Sequence, residues 1–289
     1  MTPSEPEALG SWPKAPLAYV VAEFTFPPLT AAFDQLHGQF NDRIVADYPH
    51  ATSGKMQEIV IEGPQLRVHE HTIHQWVDIQ RRFGVVLTPQ HLALHTSGYE
   101  SYGRFVERLQ QVLERYLPVA GSRPALQSAI RYFDIVVPEG DFATPDAFVE
   151  PALRLPRLPE GTQVGEHASS LQVVRGPVVG STRFYSHVIN PAFIAPPDFS
   201  PLPLEASRVA QTSVQHRKDG GAVGFLDVAA QAMEPAEPAA QALEARLLEA
   251  RTLAKALFES ATLPEARRHW GEPAGSDQTV TTAGEISTA

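Results

Sequence analysis

A chain of 289 residues with 43% hydrophobic content has enough apolar surface for one large or two ordinary domains. Its formal charge of −10 is evenly spread, with 8 Lys/Arg against 11 Asp/Glu in residues 17–117 and 14 against 17 in residues 118–271, so neither half offers a basic surface to a phosphate backbone. The absence of cysteine excludes disulfides, thiolate metal sites and cysteine nucleophiles, and no apolar stretch approaches the roughly 20 residues that cross a bilayer.

Residues 1–14 and 272–289 are rich in Pro, Ser, Thr, Gly and acid and read as flexible tails, with no signal-peptide pattern at the start, so a soluble cytoplasmic protein is expected. The first strand, AYVVAEFTF, is closed by Pro27-Pro28, and Leu29, Phe33, Leu36 and Phe40 then give the spacing of a short helix. Four strand-like runs follow: MQEIVIE, RVHEHTIHQWVDIQ, RFGVVLT and HLALHT, punctuated by Gly63-Pro64 and Pro89-Gln90. Ser97 and Glu100 form a capping-box pattern ahead of a helical stripe of Phe105, Leu109, Val112, Leu113 and Tyr116.

After a short linker at Gly121 to Pro124 the same order restarts. LQSAIRYFDIVV opens a second unit. ATPDAFVEPALRL suggests a helix with Thr144 as N-cap, shortened by Pro151. Strands are expected at ASSLQVVRG and STRFYSHVIN, then a Pro-rich loop at 191–203, then SRVAQTSVQH and AVGFLDVAAQAM as the arms of a hairpin turning at Asp219-Gly220. Leu243, Leu247, Ala250, Ala254, Leu257 and Phe258 mark a last amphipathic helix. The reading is an α+β protein of two tandem β-α-β4-α units, at 15–120 and 121–271, forming one curved antiparallel sheet with helices on its convex side.

Candidate ligand-binding residues lie on the strand that opens the second unit, which should be central. Alternation separates Tyr132 and Asp134 from Arg131, so phenol and carboxyl would project together, and a buried Arg131 would need a carboxylate partner. Phe193 and Phe199, large apolar residues in the Pro-rich loop, complete the set because such loops dock their apolar side chains. His69, His71 and His95 would make a zinc or iron site if their strands brought three imidazoles together; a solvated strand face is the simpler reading.

Other templates fail. Glu58, Glu62 and Glu70 are spaced as strand residues on a solvated face, Ser181, Ser186 and Ser213 lack a nucleophile elbow, and neither GxGxxG nor GxxxxGK[ST] occurs. Nucleic-acid binding would require Arg81, Arg82, Arg104, Arg108 and Arg183 to gather on one face.

The strand ending Phe26-Pro27, the phrase LALHTSGYESYGRF, the strand IRYFDIVVP and the ending LFESATLPEARRHWG together resemble a sporadically distributed bacterial family without an assigned activity, over residues 15–271. That resemblance implies a cytoplasmic bacterial accessory protein, and Asn at the position of Asp134 in most members. The doubled unit order also resembles the topology of the TATA-box-binding protein, a likeness of shape and not of ligand. The expected function is non-catalytic: an adaptor or binding protein with no cofactor, taking a protein segment or small molecule on the concave face and able to form a homodimer through its edge strands. The alternative is an enzyme, or a metal- or ligand-binding protein, using Tyr132 and Asp134 or the three histidines.

Overall fold

The computed structural model describes residues 12–29, 32–62, 65–162, 164–165, 167–189 and 204–271. The first unit runs β1 (Leu17–Thr25), α1 (Phe33–Ile44), β2 (His50–Glu62), β3 (Gln65–Val77), β4 (Phe83–Leu87), β5 (His91–Thr96) and α2 (Tyr102–Ala120). This is the expected order. Helix α2 begins later than the Ser97 pattern suggests, because Ser101 accepts the Arg104 N–H at 3.3 Å and caps it.

The second unit departs from the first. It runs β6 (Gln127–Val136), two short 3-10 turns (Pro145–Phe148 and Pro151–Leu153), β7 (His167–Arg175), β8 (Val178–Val188), α3 (Arg208–Lys218), β9 (Val223–Ala232) and α4 (Ala240–Ala261), and a short α5 (Pro264–Trp270) follows. Prolines start both turns, and Pro151 would fall inside a helix begun at Pro145, where it has no N–H to give to the carbonyl of Ala147, so no longer helix propagates there. The expected hairpin arm at 207–216 is the helix α3. Ser207 caps it by accepting from Ala210 N, and Gly220, at φ +84°, ends it: Gly220 N–H donates to Arg217 O and Gly221 N–H to His216 O. The Asp-Gly pair therefore closes a helix instead of turning a hairpin.

All nine strands join one open antiparallel sheet in the order β2-β3-β4-β5-β1-β6-β9-β8-β7. The two units meet where β1 pairs with β6, Val20 opposite Tyr132 and Val21 opposite Arg131. One face carries the main core: Val20, Ala22 and Phe24 of β1, Ile130 of β6 and Val228 of β9, buried under α1, α2 and α4. Burying each such side chain contributes about 1.5–3 kcal/mol. Gly180 lets α4 approach β8, since a Cβ there would stand 2.6 Å from Leu257 Cδ1.

The opposite face is not free of helices. Tyr19, Phe133, Ile135 and Phe225 form a second buried cluster packed against Leu204, Val209 and Ala210, so α3 covers one end of the central strands. The helices are thus not confined to one side. At the other margin β4 pairs with His74–Val77 of β3, whereas β2 and β3 pair on to Glu62 opposite Gln65, so residues 54–62 and 65–73 continue as a two-stranded ribbon. Among the described residues no helix is long and apolar enough to cross a membrane.

Candidate functional site

Strand β6 delivers the expected alternation. Tyr132 and Asp134 share the face of Ile130, while Arg131 lies on the face of Phe133. The shared face is the packed one. Each is 3% exposed, and beside them lies a cavity of about 10 Å³, room for about one water, lined by Trp12, Pro16, Leu17 and Phe258. Among the described residues Asp134 Oδ2 has no hydrogen-bond partner. Burial, reinforced by the charge of Asp227, pushes the Asp134 carboxyl well above the usual carboxylate range, and burial pushes the Tyr132 phenol up as well. A neutral carboxylic acid therefore sits behind the segment 12–17, not in a groove of the open face.

Arg131 is committed to structure. Its Nε and Nη2 donate to the two carboxylate oxygens of Asp227, each at 2.6 Å, and Arg183 Nε stands 3.9 Å from the same carboxylate. Arg131 and Arg183 are therefore on the face opposite α1, α2 and α4, and Arg104, paired with Glu107 on α2, is not among them. Phe193 and Phe199 lie outside the described residues.

The strand register does not bring the three histidine positions together. His95 pairs with Gly84, Gly84 with Val77, and Val77 is six positions along β3 from His71, which puts about 20 Å of strand between their registers. His69 is further still. His95 is 0% exposed, its ring lies in the space above Gly84 and 5.6 Å from Tyr19, and burial lowers its pKa to about 3. Among the described residues no group of three His, Cys, Asp or Glu is placed to hold a metal ion. A different imidazole pair exists: His37 of α1 stacks on His74 of β3 at 3.5 Å, and burial lowers the pKa of both.

The site richest in converging side chains has another origin. A cleft of about 570 Å³ opens where β1 begins, β5 and β6 end and α3 starts. One wall is the segment preceding β1, anchored by Lys14 N–H to Trp270 O, by Trp12 packed 6.0 Å from Phe258, and by Ile135 N–H to Pro16 O. Another is the β3–β4 turn. Asp78 accepts the N–H groups of Arg82 and Phe83, and Arg81, held at φ +53°, turns its carbonyl to the N–H of Glu205 just ahead of α3. Gly98 leaves room for the Arg82 guanidinium, whose Nε a Cβ would meet at 2.5 Å.

Cationic groups line this cleft from separate segments: Lys14, Arg82 and Arg208, with His216 and His269 beside them and Glu139 as their acid. Trp12, Tyr99 and Trp270 supply aromatic surface. No single stretch of sequence displays this set. The signal lay in α3, whose N-cap Ser207 was visible but read as strand. No protein-family model matches the chain, and no curated protein matches it at a significant level.

Proposed function

We propose that this is a non-catalytic binding protein, an adaptor of a bacterial accessory system acting in the cytoplasm, which holds a small ligand or a protein segment in the cleft at the ends of β1, β5 and β6. The observation that supports it is the contrast between the sites. Asp134 is walled off, Arg131 is engaged by Asp227 and His95 is sealed, whereas the 570 Å³ cleft gathers aromatic and polar side chains in a volume suited to a ligand. The resemblance to a sporadically distributed family supports the accessory setting, and the outer strands β2 and β7 of the open sheet suit pairing with a second copy. An enzyme acting through Asp134 is the second reading, supported by the unpartnered carboxyl beside the cleft wall.

The test is purification of the tagged chain from its native cells, with native mass spectrometry and metal analysis of one sample. A stoichiometric small molecule or protein, displaced when the cleft is altered by Arg82→Ala and Arg208→Ala, is the expected result. A partner-free protein carrying bound metal, or a species retained unchanged by those variants, would overturn the reading.

A further inference from the structure

The ligand chemistry of the cleft can be taken further, and the argument rests on the binding reading above. We propose that its ligand is a small anion with a flat apolar body: a carboxylate, phosphate or sulfonate carried on an aromatic ring system.

Charge is the first observation. The chain carries −10, yet the cleft sets Lys14, Arg82 and Arg208 against Glu139 alone. Glu139 is already shared, lying 3.4 Å from Lys14 Nζ and 3.6 Å from His269 Nε2. Arg82 and Arg208 have no carboxylate within 4.0 Å among the described residues. Two guanidinium groups facing one space without a counter-charge are repaid when an anion enters, and their planar forks suit a two-oxygen headgroup.

Backbone geometry adds to this. Ser207 occupies only the Ala210 N–H of the first turn of α3, leaving the N–H groups of Arg208 and Val209 without an intrahelical acceptor beside the cleft. The positive end of the helix dipole reinforces the arginines there.

The body of the ligand follows from the remaining walls. Trp12 and Tyr99, both half-buried, present ring surface, and about 570 Å³ falls within the range of small-molecule sites. Flat apolar groups gain from such walls, whereas a bare inorganic ion would leave them unused.

Two of the three tryptophans line the cleft and the third, Trp76, is buried elsewhere and bonded to Asn41, so intrinsic fluorescence reports occupancy. The full chain is titrated with 8-anilinonaphthalene-1-sulfonate, an aromatic anion, and with the uncharged N-phenyl-1-naphthylamine. The sulfonate is expected to quench Trp12 and Trp270 and to bind at least about tenfold more tightly than the amine. Arg82→Ala with Arg208→Ala should weaken the sulfonate about tenfold and leave the amine and the thermal midpoint unchanged, because both side chains are exposed. Equal affinities for the two probes, or sulfonate binding indifferent to the double variant, would overturn the anionic chemistry while leaving a ligand cleft. Failure of both probes to bind, or binding whose signal survives in Trp12→Phe with Trp270→Phe, would overturn the cleft as a ligand site and the binding reading with it.

Discussion

Arg131 of β6 reaches across to Asp227 of β9 and binds both carboxylate oxygens at 2.6 Å, with Asp227 only 2% exposed. Removing the arginine leaves a buried carboxylate whose nearby cation is Arg183, at 3.9 Å. Arg131→Leu should therefore lower the unfolding free energy by about 3 kcal/mol, near the low end for breaking a buried pair, and adding Asp227→Leu should restore most of it. Urea denaturation of the two variants checks this. Equal instability in the single and double variants would show that the pair contributes through shape and not through charge.

Asp134 makes the opposite kind of prediction. Its folded pKa is raised by burial, so the folded state holds a proton that the unfolded chain releases above its ordinary value of 3.8. Its contribution to stability is complete below that value and is lost as pH rises toward the folded pKa. Asp134→Asn removes the loss. The variant should match the parent near pH 4 and become more stable as pH rises, by up to about 1.4 kcal/mol per pH unit until the folded pKa is passed. Denaturation at several pH values from 4 to 8 measures it; a constant difference would mean that Asp134 does not titrate in this window.

Much of the scaffold was legible because periodicity reports burial directly. The stripe Leu243, Leu247, Ala250, Ala254 and Leu257 marked α4, and alternation placed Tyr132 and Asp134 opposite Arg131. Alternation does not say which face a helix covers, so the pair projected into the core where a groove was expected. Helix α3 was lost because its apolar face is narrow, Val209 and Ala210 backed by a buried Ser213, and a Ser/Gln/Thr-rich segment between two turns reads equally as strand. The cleft was invisible for a different reason. Lys14, Arg82, Gly98, Glu139 and Arg208 are brought together only by the meeting of strand ends.

Docking of α3 rests on few apolar contacts, those of Leu204, Val209 and Ala210 with Tyr19, Phe133 and Phe225. Val209→Asp puts a charge against this cluster and should release the helix while the main core persists. Hydrogen exchange is the suitable readout: protection across 208–218 should fall while that of β1, β6 and β9 remains. A cost of about 1–3 kcal/mol is expected from the buried charge. Loss of protection throughout the sheet would instead make α3 part of one cooperative core with β1 and β6.

His95 supplies a titration whose sign opposes that of Asp134. Its folded pKa lies at about 3, below the ordinary 6.5, so the unfolded state binds a proton that the folded state refuses. The stability it contributes is complete above pH 6.5 and falls with pH toward 3, at up to about 1.4 kcal/mol per unit. His37 and His74, also lowered by burial, add in the same direction. On acidification below pH 6.5 the gain from Asp134 therefore opposes the losses from His95, His37 and His74, and the parent's decline should be shallower than the imidazoles alone would give. His95→Phe keeps a ring over Gly84 and beside Tyr19 while removing the titration. Relative to the parent it should gain stability progressively on acidification below pH 6.5, by up to about 1.4 kcal/mol per unit. Gly84→Ala is the packing control: its Cβ would overlap His95 Nε2, so it should destabilise the parent and His95→Phe alike at every pH without altering either slope. Should His95→Phe keep the parent's pH profile, the folded state accommodates the His95 proton and the imidazole does not set the acid-side slope.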